Sequence, residues 1–417
     1  MKFKFQDTYR RGAVHMLKKL YGKLEISINA LESWMKERKN LAGLLVGIVI
    51  LGGLIGCAIW LNQPVEGEVP TSASQMAYEK ASVTAILEDG AVPDYEDAEG
   101  RRVGTQELEI RILTGTHKGE IMSLTNYMSA LFNVDVEKGD QIIVRIMTDE
   151  DGSYYASLFN YNRGIILGVF VLIFFILLAV LGGKKGLGAL LGLLFTLASI
   201  WFVLIPCLIR GIPAIAVTVG IVAVTAAGAL VLLNGFSQKT LCSVLGCVIG
   251  VVVAGGIAAL VGNITPMNGF NMPEAENLLL YGADKGMKIS GLLVCGVLIS
   301  ALGAVMDVAL GIASSIWELH EQNPSLPGRD LFRSGMHIGR DAMGTMANTL
   351  ILAFAGSSLN MLILVQTYNI PFIQLINTDY ICIEIIQSVA GALGILLTVP
   401  IVAFISARLM ARGKRVS

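Results

Sequence analysis

The sequence predicts a polytopic α-helical membrane protein of about eight transmembrane helices. A small extracytoplasmic β-barrel domain, OB-like, is expected between helices 1 and 2. Three observations lead there. Of 417 residues, 54% are apolar and 15% charged, against about 25% charged in soluble domains, and mean hydropathy is +0.66. The charge gathers in residues 1–40, 66–162 and 317–341. Between those blocks run apolar stretches near the ~20 residues that cross the hydrocarbon as a helix.

Residues 1–40 are basic, and Val14, Leu17, Tyr21, Leu24, Ile28, Leu31 and Met35 recur at alternating three and four. That is helical spacing, read as an amphipathic helix lying on the anionic inner leaflet; a helix-pairing seam is the alternative. Residues 41–62 are the first transmembrane helix. The charged stretch before them is too long for the n-region of a cleaved signal, so they read as an uncleaved anchor.

Residues 66–162 hold 18 Asp or Glu against 7 Lys or Arg. "ASVTAILED", "QELEIRILTG", "GEIMSLTNYMS", "DQIIVRIMTD" and "SYYASLFN" alternate or are β-branched, and turn-rich stretches separate them. Five such strands in under 100 residues point to a small antiparallel barrel. "TDEDGSYY" lacks the spacing and closing Glu of a calcium loop and reads as a DG turn. The acidity repels phosphate backbones, which excludes nucleic acid; an extracellular protein, peptide or cation is the expected contact.

Residues 164–410 are expected to form a seven-helix transmembrane domain, with spans at 164–183, 186–209, 213–234, 240–262, 289–315, 342–366 and 384–407, followed by a basic tail, 411–417. With both termini cytoplasmic, twenty Lys or Arg lie in the inner flanks and three (Arg210, Lys285, Lys288) in the short outer loops. The positive-inside rule therefore orients the chain N-in, C-in in a plasma membrane. The lipid bilayer is the first partner, and a homo-oligomer is compatible with the Gly- and Ala-rich spans two to five.

Those four spans carry almost no ionisable group; the last three differ. Asp307, Gly311, Ser314 and Glu318 follow at +4, +3 and +4 on one helical face. An unsatisfied Asp in hydrocarbon costs about 2.5–3.5 kcal/mol, so Asp307 is the candidate for proton or ion coupling. Asp341, Thr345, Asn348 and Thr349 form a second stripe in span seven. Ser314, Glu318, Asp341, Thr345 and Asn348 are the candidate polar lining, the two stripes being expected to face and satisfy each other inside the bundle. Structural glue between helices is the competing role for each, and Arg340 and Asp341 also suit a topological anchor at the interface. Span eight adds Glu384 and Gln387 near its outer end and a kink site at Pro400. His320 and His337, in a charged stretch, are expected to be solvated.

No enzyme constellation, cofactor fingerprint or metal-ligand set is found. "ELHEQ" is not H-E-x-x-H, and no G-x-S-x-G elbow, P-loop or dinucleotide motif occurs. All six cysteines lie in or beside apolar segments, as packing residues do.

"GAVMDVALGIASSIWELHEQNPSL" and "SGMHIGRDAMGTMANTLILAFAG", with "PMNGFNMPEAENLLLY" upstream, resemble the YibE/F-like family of bacterial multipass membrane proteins over about 164–410. The resemblance implies a permease-type membrane protein. An apolar span bearing Asp307, a charged link containing Glu318 and an external domain after span one are also similar to RND transporters and the SecD/SecF export subunits. That second resemblance implies that Asp307 is a coupling carboxylate, although those proteins have six or twelve spans and paired carboxylates. The expected function is a membrane permease or translocation factor, proton- or cation-coupled through Asp307. The alternative is a non-transporting scaffold or assembly factor that binds an extracellular partner through the barrel domain.

Overall fold

A computed structural model describes residues 52–53, 55–62, 76–95, 100–149, 152–267, 269–272, 274–282 and 286–412. The heptad-spaced segment 14–35, most of the first span and the end of the basic tail lie outside the described residues. The chain divides into a sheet-bearing unit, 64–176, and a second unit formed by 1–63 and 177–417.

The sheet-bearing unit holds a curved antiparallel sheet of β1 (Met76–Asp89), β2 (Val92–Pro93), β3 (Arg102–Ile112), β4 (Ile121–Met128), β5 (Gln141–Thr148) and β6 (Tyr154–Tyr161). Setting aside the two-residue β2, which flanks β3, the strands lie in the order β4-β3-β1-β5-β6. The five expected strands are β1 and β3 to β6. β1 serves both halves of the sheet: Ala81–Asp89 pair with β3 and Met76–Ser82 with β5, with bulges after Val83 and Ile86. Bulges concentrate twist in a strand and bend it. Inward alternation follows the sequence pattern. Gln106, Leu108, Ile110 and Ile112 of β3 and Ile142, Val144 and Ile146 of β5 are buried, with Val83, Leu124 and Val136 completing the core. Gln106 is the polar member of its row, and Asn126 Nδ2 donates to its Oε1 at 3.1 Å. Gly104 takes φ +130°, and a β-carbon there would lie 2.7 Å from the Gly90 carbonyl oxygen, so the β1–β3 connection closes only over glycine. Around the expected DG turn Asp149 N donates to the Ser153 carbonyl at 2.8 Å, while Glu150 and Asp151 lie outside the described residues.

The helices are α1 (Gly164–Ser199), α2 (Ile205–Ile209), α3 (Ala214–Asn234), α4 (Gln238–Ile264), α5 (Ala275–Gly282), α6 (Leu292–Gln322), α7 (Gly328–Ser357), α8 (Leu359–Thr367), α9 (Phe372–Ile376) and α10 (Asp379–Arg412). Ile200–Leu204 form a π-helical turn between α1 and α2. Among the described residues five helical segments are long and apolar enough to cross a membrane, or six if α7 and α8 count as one bent span. This is a membrane protein. The run Gly164–Ile209 is 46 residues long, about 69 Å if straight, but Gly183 breaks it with φ 55° and ψ −133°. Gly186 lies too close to the Leu178 carbonyl for any β-carbon, so the chain bends back there.

α4, α6, α7 and α10 make the main core. Glycines let their backbones approach, as small residues do in membrane bundles. Gly394 of α10 faces Ala254 of α4, Gly255 of α4 faces Leu298 of α6, and Gly391 of α10 meets both Leu350 of α7 and Ala301 of α6. The charged stretch 317–341 is largely helical, the ends of α6 and α7, leaving only Asn323–Pro327 between them. Pro400 sits inside α10, which continues through it. Cys207, Cys242, Cys247 and Cys295 are buried, whereas Cys57 is exposed and departs from the packing role.

Candidate functional site

Contacts between α6 and α7 fix their register. Ile316 lies against Gly335 and Ile312 against Gly339, while Ala301 and Leu350 converge on Gly391. Each step forward along α7 matches an equal step back along α6, so the helices are antiparallel with constant offset. Asp307 therefore stands at the height of Gly344, with Thr345 beside it and Asp341 and Asn348 about one turn to either side.

α6 is packed on the side of Val305, Val308, Ile312 and Ile316 and open on the other. The open face reads Ser300, Gly303, Asp307, Gly311, Ser314 and Glu318, all at spacings of three or four. Asp307 and Glu318 are exposed and Ser314 is half-buried. A β-carbon on Gly303 or Gly311 would meet nothing within 4 Å, so open space flanks the Asp307 carboxylate one turn above and below. Among the described residues no hydrogen bond or ion pair reaches that carboxylate.

On α7, Leu331, Gly335 and Gly339 are buried, while Asp341, Thr345 and Asn348 are exposed. Thr345 Oγ1 donates back to the Ala342 carbonyl at 3.0 Å and Thr349 Oγ1 to the Thr345 carbonyl at 2.8 Å. The expectation that the two stripes satisfy each other inside the bundle is corrected here. Both lie on outward faces, because the packed seams are taken by glycines and β-branched residues that bring the backbones closer than polar side chains allow. The structure brings Asp307 and Thr345 to one height, with Asp341 and Asn348 about one turn to either side, while Ser314 and Glu318 continue the open face of α6 towards its C-terminal end. His337 is exposed as expected, but His320 is half-buried, and its Nδ1 has no hydrogen-bond partner among the described residues.

A second polar group was not singled out as a site from the sequence. Tyr380, Glu384 and Gln387 of α10 lie at +4 and +3, on one face. Tyr380 Oη donates to Ser358 Oγ at 3.3 Å, Ser358 being 4% exposed at the junction of α7 and α8. The Gln387 amide lies against Gly296, 3.0 Å from where a β-carbon would be. Between these contacts, Glu384 Oε2 is buried and takes no hydrogen bond among the described residues. The signal in the sequence was a carboxylate inside an apolar span, but only the burial of its unpartnered oxygen separates it from an interfacial anchor. A cavity of about 430 Å³ also opens where α3 and α6 begin, walled mostly by apolar side chains such as Ile215, Phe270 and Leu279, with Lys288 and Ser290 on its rim.

In the sheet-bearing unit, Arg102 bridges Asp135 and Asp89, its Nη1 standing 2.9 Å from Asp89 Oδ2. The hydrogen bond from Arg102, followed by that from the Ala91 amide, holds the Asp89 carboxyl below its usual value. Tyr154 donates to Glu120 Oε2 and lowers the pKa of that acid, while its own hydroxyl is pushed up. Leu131 and Phe132 project from a loop closed by Ser129, whose amide donates to the Phe132 carbonyl at 2.8 Å, and are 89% and 76% exposed. No group of three or more metal-ligating side chains occurs among the described residues.

Two family models match the chain: YibE/F-like protein over residues 170–412, and the YibE/F family N-terminal domain over 77–161. No curated protein and no solved structure matches it.

Proposed function

We propose, from the premise that this chain belongs to the YibE/F-like family, that it is a membrane permease or translocation factor in which Asp307 gains and loses a proton or a cation. The observation that carries this reading is the Asp307 carboxylate, midway along an apolar helix, with no hydrogen-bond or ion-pair partner among the described residues and with room beside it at Gly303 and Gly311. A carboxylate so placed has no packing role to offset its cost in hydrocarbon. Its natural compensation is a mobile ion. The exposed Thr345 at the same height and Asn348 one turn away supply oxygen ligands, and Ser314 and Glu318 extend a polar track along α6.

The finer architecture belongs to the same reading: eight spans, with Gly183 dividing α1 into two, and both termini cytoplasmic as the charge bias requires. The strand order of the sheet, with β4 and β6 lying side by side without a hydrogen-bonded ladder between them, supports an OB-like barrel. A non-transporting scaffold is the alternative, and Leu131 and Phe132 favour it, since a loop closed by hydrogen bonds and presenting two large exposed apolar side chains suits a protein partner. Asp307→Asn decides between them. In a strain whose growth depends on the protein, the variant should reach normal abundance in the membrane yet fail to restore growth; full restoration would favour the scaffold.

A further inference from the structure

We propose a monovalent-cation site at the break between α7 and α8, built around Glu384 and resting on the reading of α6, α7 and α10 as a cation-linked unit. The two helices meet at Ser358 with a bend of 61°. A break in a membrane helix frees backbone carbonyls that the helix would otherwise bond, and such carbonyls commonly complete alkali-cation sites.

One of three polar side chains on a single face of α10 touches that break, and the half-buried Glu384 is the next of them along the helix. The Tyr380–Ser358 hydrogen bond ties α10 to the bend, the Gln387 amide reaches across to Gly296 of α6, and Glu384 lies between them on the same face of α10. Its Oε2 is shut off from solvent without a donor to satisfy it. A carboxylate oxygen buried with no donor is costly and calls for a positive charge. No Lys, Arg or His forms an ion pair with it among the described residues.

The chemistry selects a singly charged ion. One carboxylate balances one positive charge, and the remaining donors on hand are neutral oxygens: the Ser358 hydroxyl, the Gln387 amide oxygen and carbonyls at the end of α7. Divalent ions bound by protein usually take more than one carboxylate.

The test uses the full-length protein in detergent. Its melting temperature is followed against NaCl and KCl, with choline chloride holding ionic strength constant. Either alkali cation should raise the melting temperature in a saturable manner, and choline should not. Glu384→Gln, which keeps the shape, should abolish the response, and Ser358→Ala should weaken apparent affinity about tenfold, the loss of one ligand. Should Glu384→Gln fail to fold, Ser358→Ala alone carries the test. Asp307→Asn should keep the response. Equal behaviour in choline and alkali chloride, a saturable response to calcium in their place, or an undiminished response in Glu384→Gln or Ser358→Ala, would overturn the proposal. A lost alkali response alongside lost growth in Asp307→Asn would remove this site and leave the Asp307 reading standing.

Discussion

Gly339 of α7 lies so close to Val399 of α10 that no β-carbon fits between them, and the same glycine is in contact range of Ile312 of α6. One absent side chain thus sets the approach of three helices and, through the register it fixes, the height of Asp307 opposite Gly344. Gly339→Leu is expected to destabilise the bundle by about 1–3 kcal/mol, the range for overpacking, with a lowered melting temperature in detergent. Val399→Ala in that background should restore part of it, because it clears the space the leucine needs.

Gly311 on the open face should behave oppositely. With nothing within 4 Å of a β-carbon, Gly311→Ala should leave stability unchanged or raise it by about 0.5–1 kcal/mol through helix propensity. Gly311→Leu should fold as well but reduce the growth supported by the protein, since it fills the space beside Asp307. Full activity in Gly311→Leu would count against use of that space.

Asn126 donates to Gln106 Oε1 and, at 2.7 Å, to the Val134 carbonyl, both within the sheet core. Asn126→Ala takes a donor from the Val134 carbonyl and leaves Gln106 Oε1 with the Val136 amide at 3.4 Å, and is expected to cost the sheet domain about 1–3 kcal/mol in urea unfolding. Leu108→Ala, which empties a fully buried position, is expected to cost about 2–5 kcal/mol.

Arg102 gives the sheet domain a pH dependence of known sign. Asp89 has its pKa lowered from 3.8 by that guanidinium, so its stabilisation is complete above the unfolded value and fades as pH falls through the lower folded value. The pair is about one-third exposed, so its worth is at most about 1 kcal/mol. Arg102→Gln should reduce stability near neutral pH and flatten the loss on acidification below 3.8 in urea titrations.

Tyr154→Phe removes the hydroxyl that is the main cause of the lowered Glu120 pKa. Carboxyl titration followed by NMR should then show Glu120 moving up towards 4.5.

Periodicity and composition by themselves determined the kind of protein this is: apolar helices, and between the first two an acidic module whose five strands alternate inward and outward residues such as Leu108, Ile110 and Ile112. Those features are local, because burial against lipid or a sheet core imposes its period on neighbouring residues. Asp307 was legible for the same reason, as a charge inside a run that should hold none. The tertiary structure alone decided which way each stripe faces. Asp307, Thr345 and Asn348 lie on outward faces because Gly335 and Gly339 occupy the seams, and no sequence period distinguishes the packed side of a small-residue helix from its open side. The α7 break at Ser358 and the isolation of Glu384 were equally beyond local reading, since both depend on what α10 brings from more than twenty residues away.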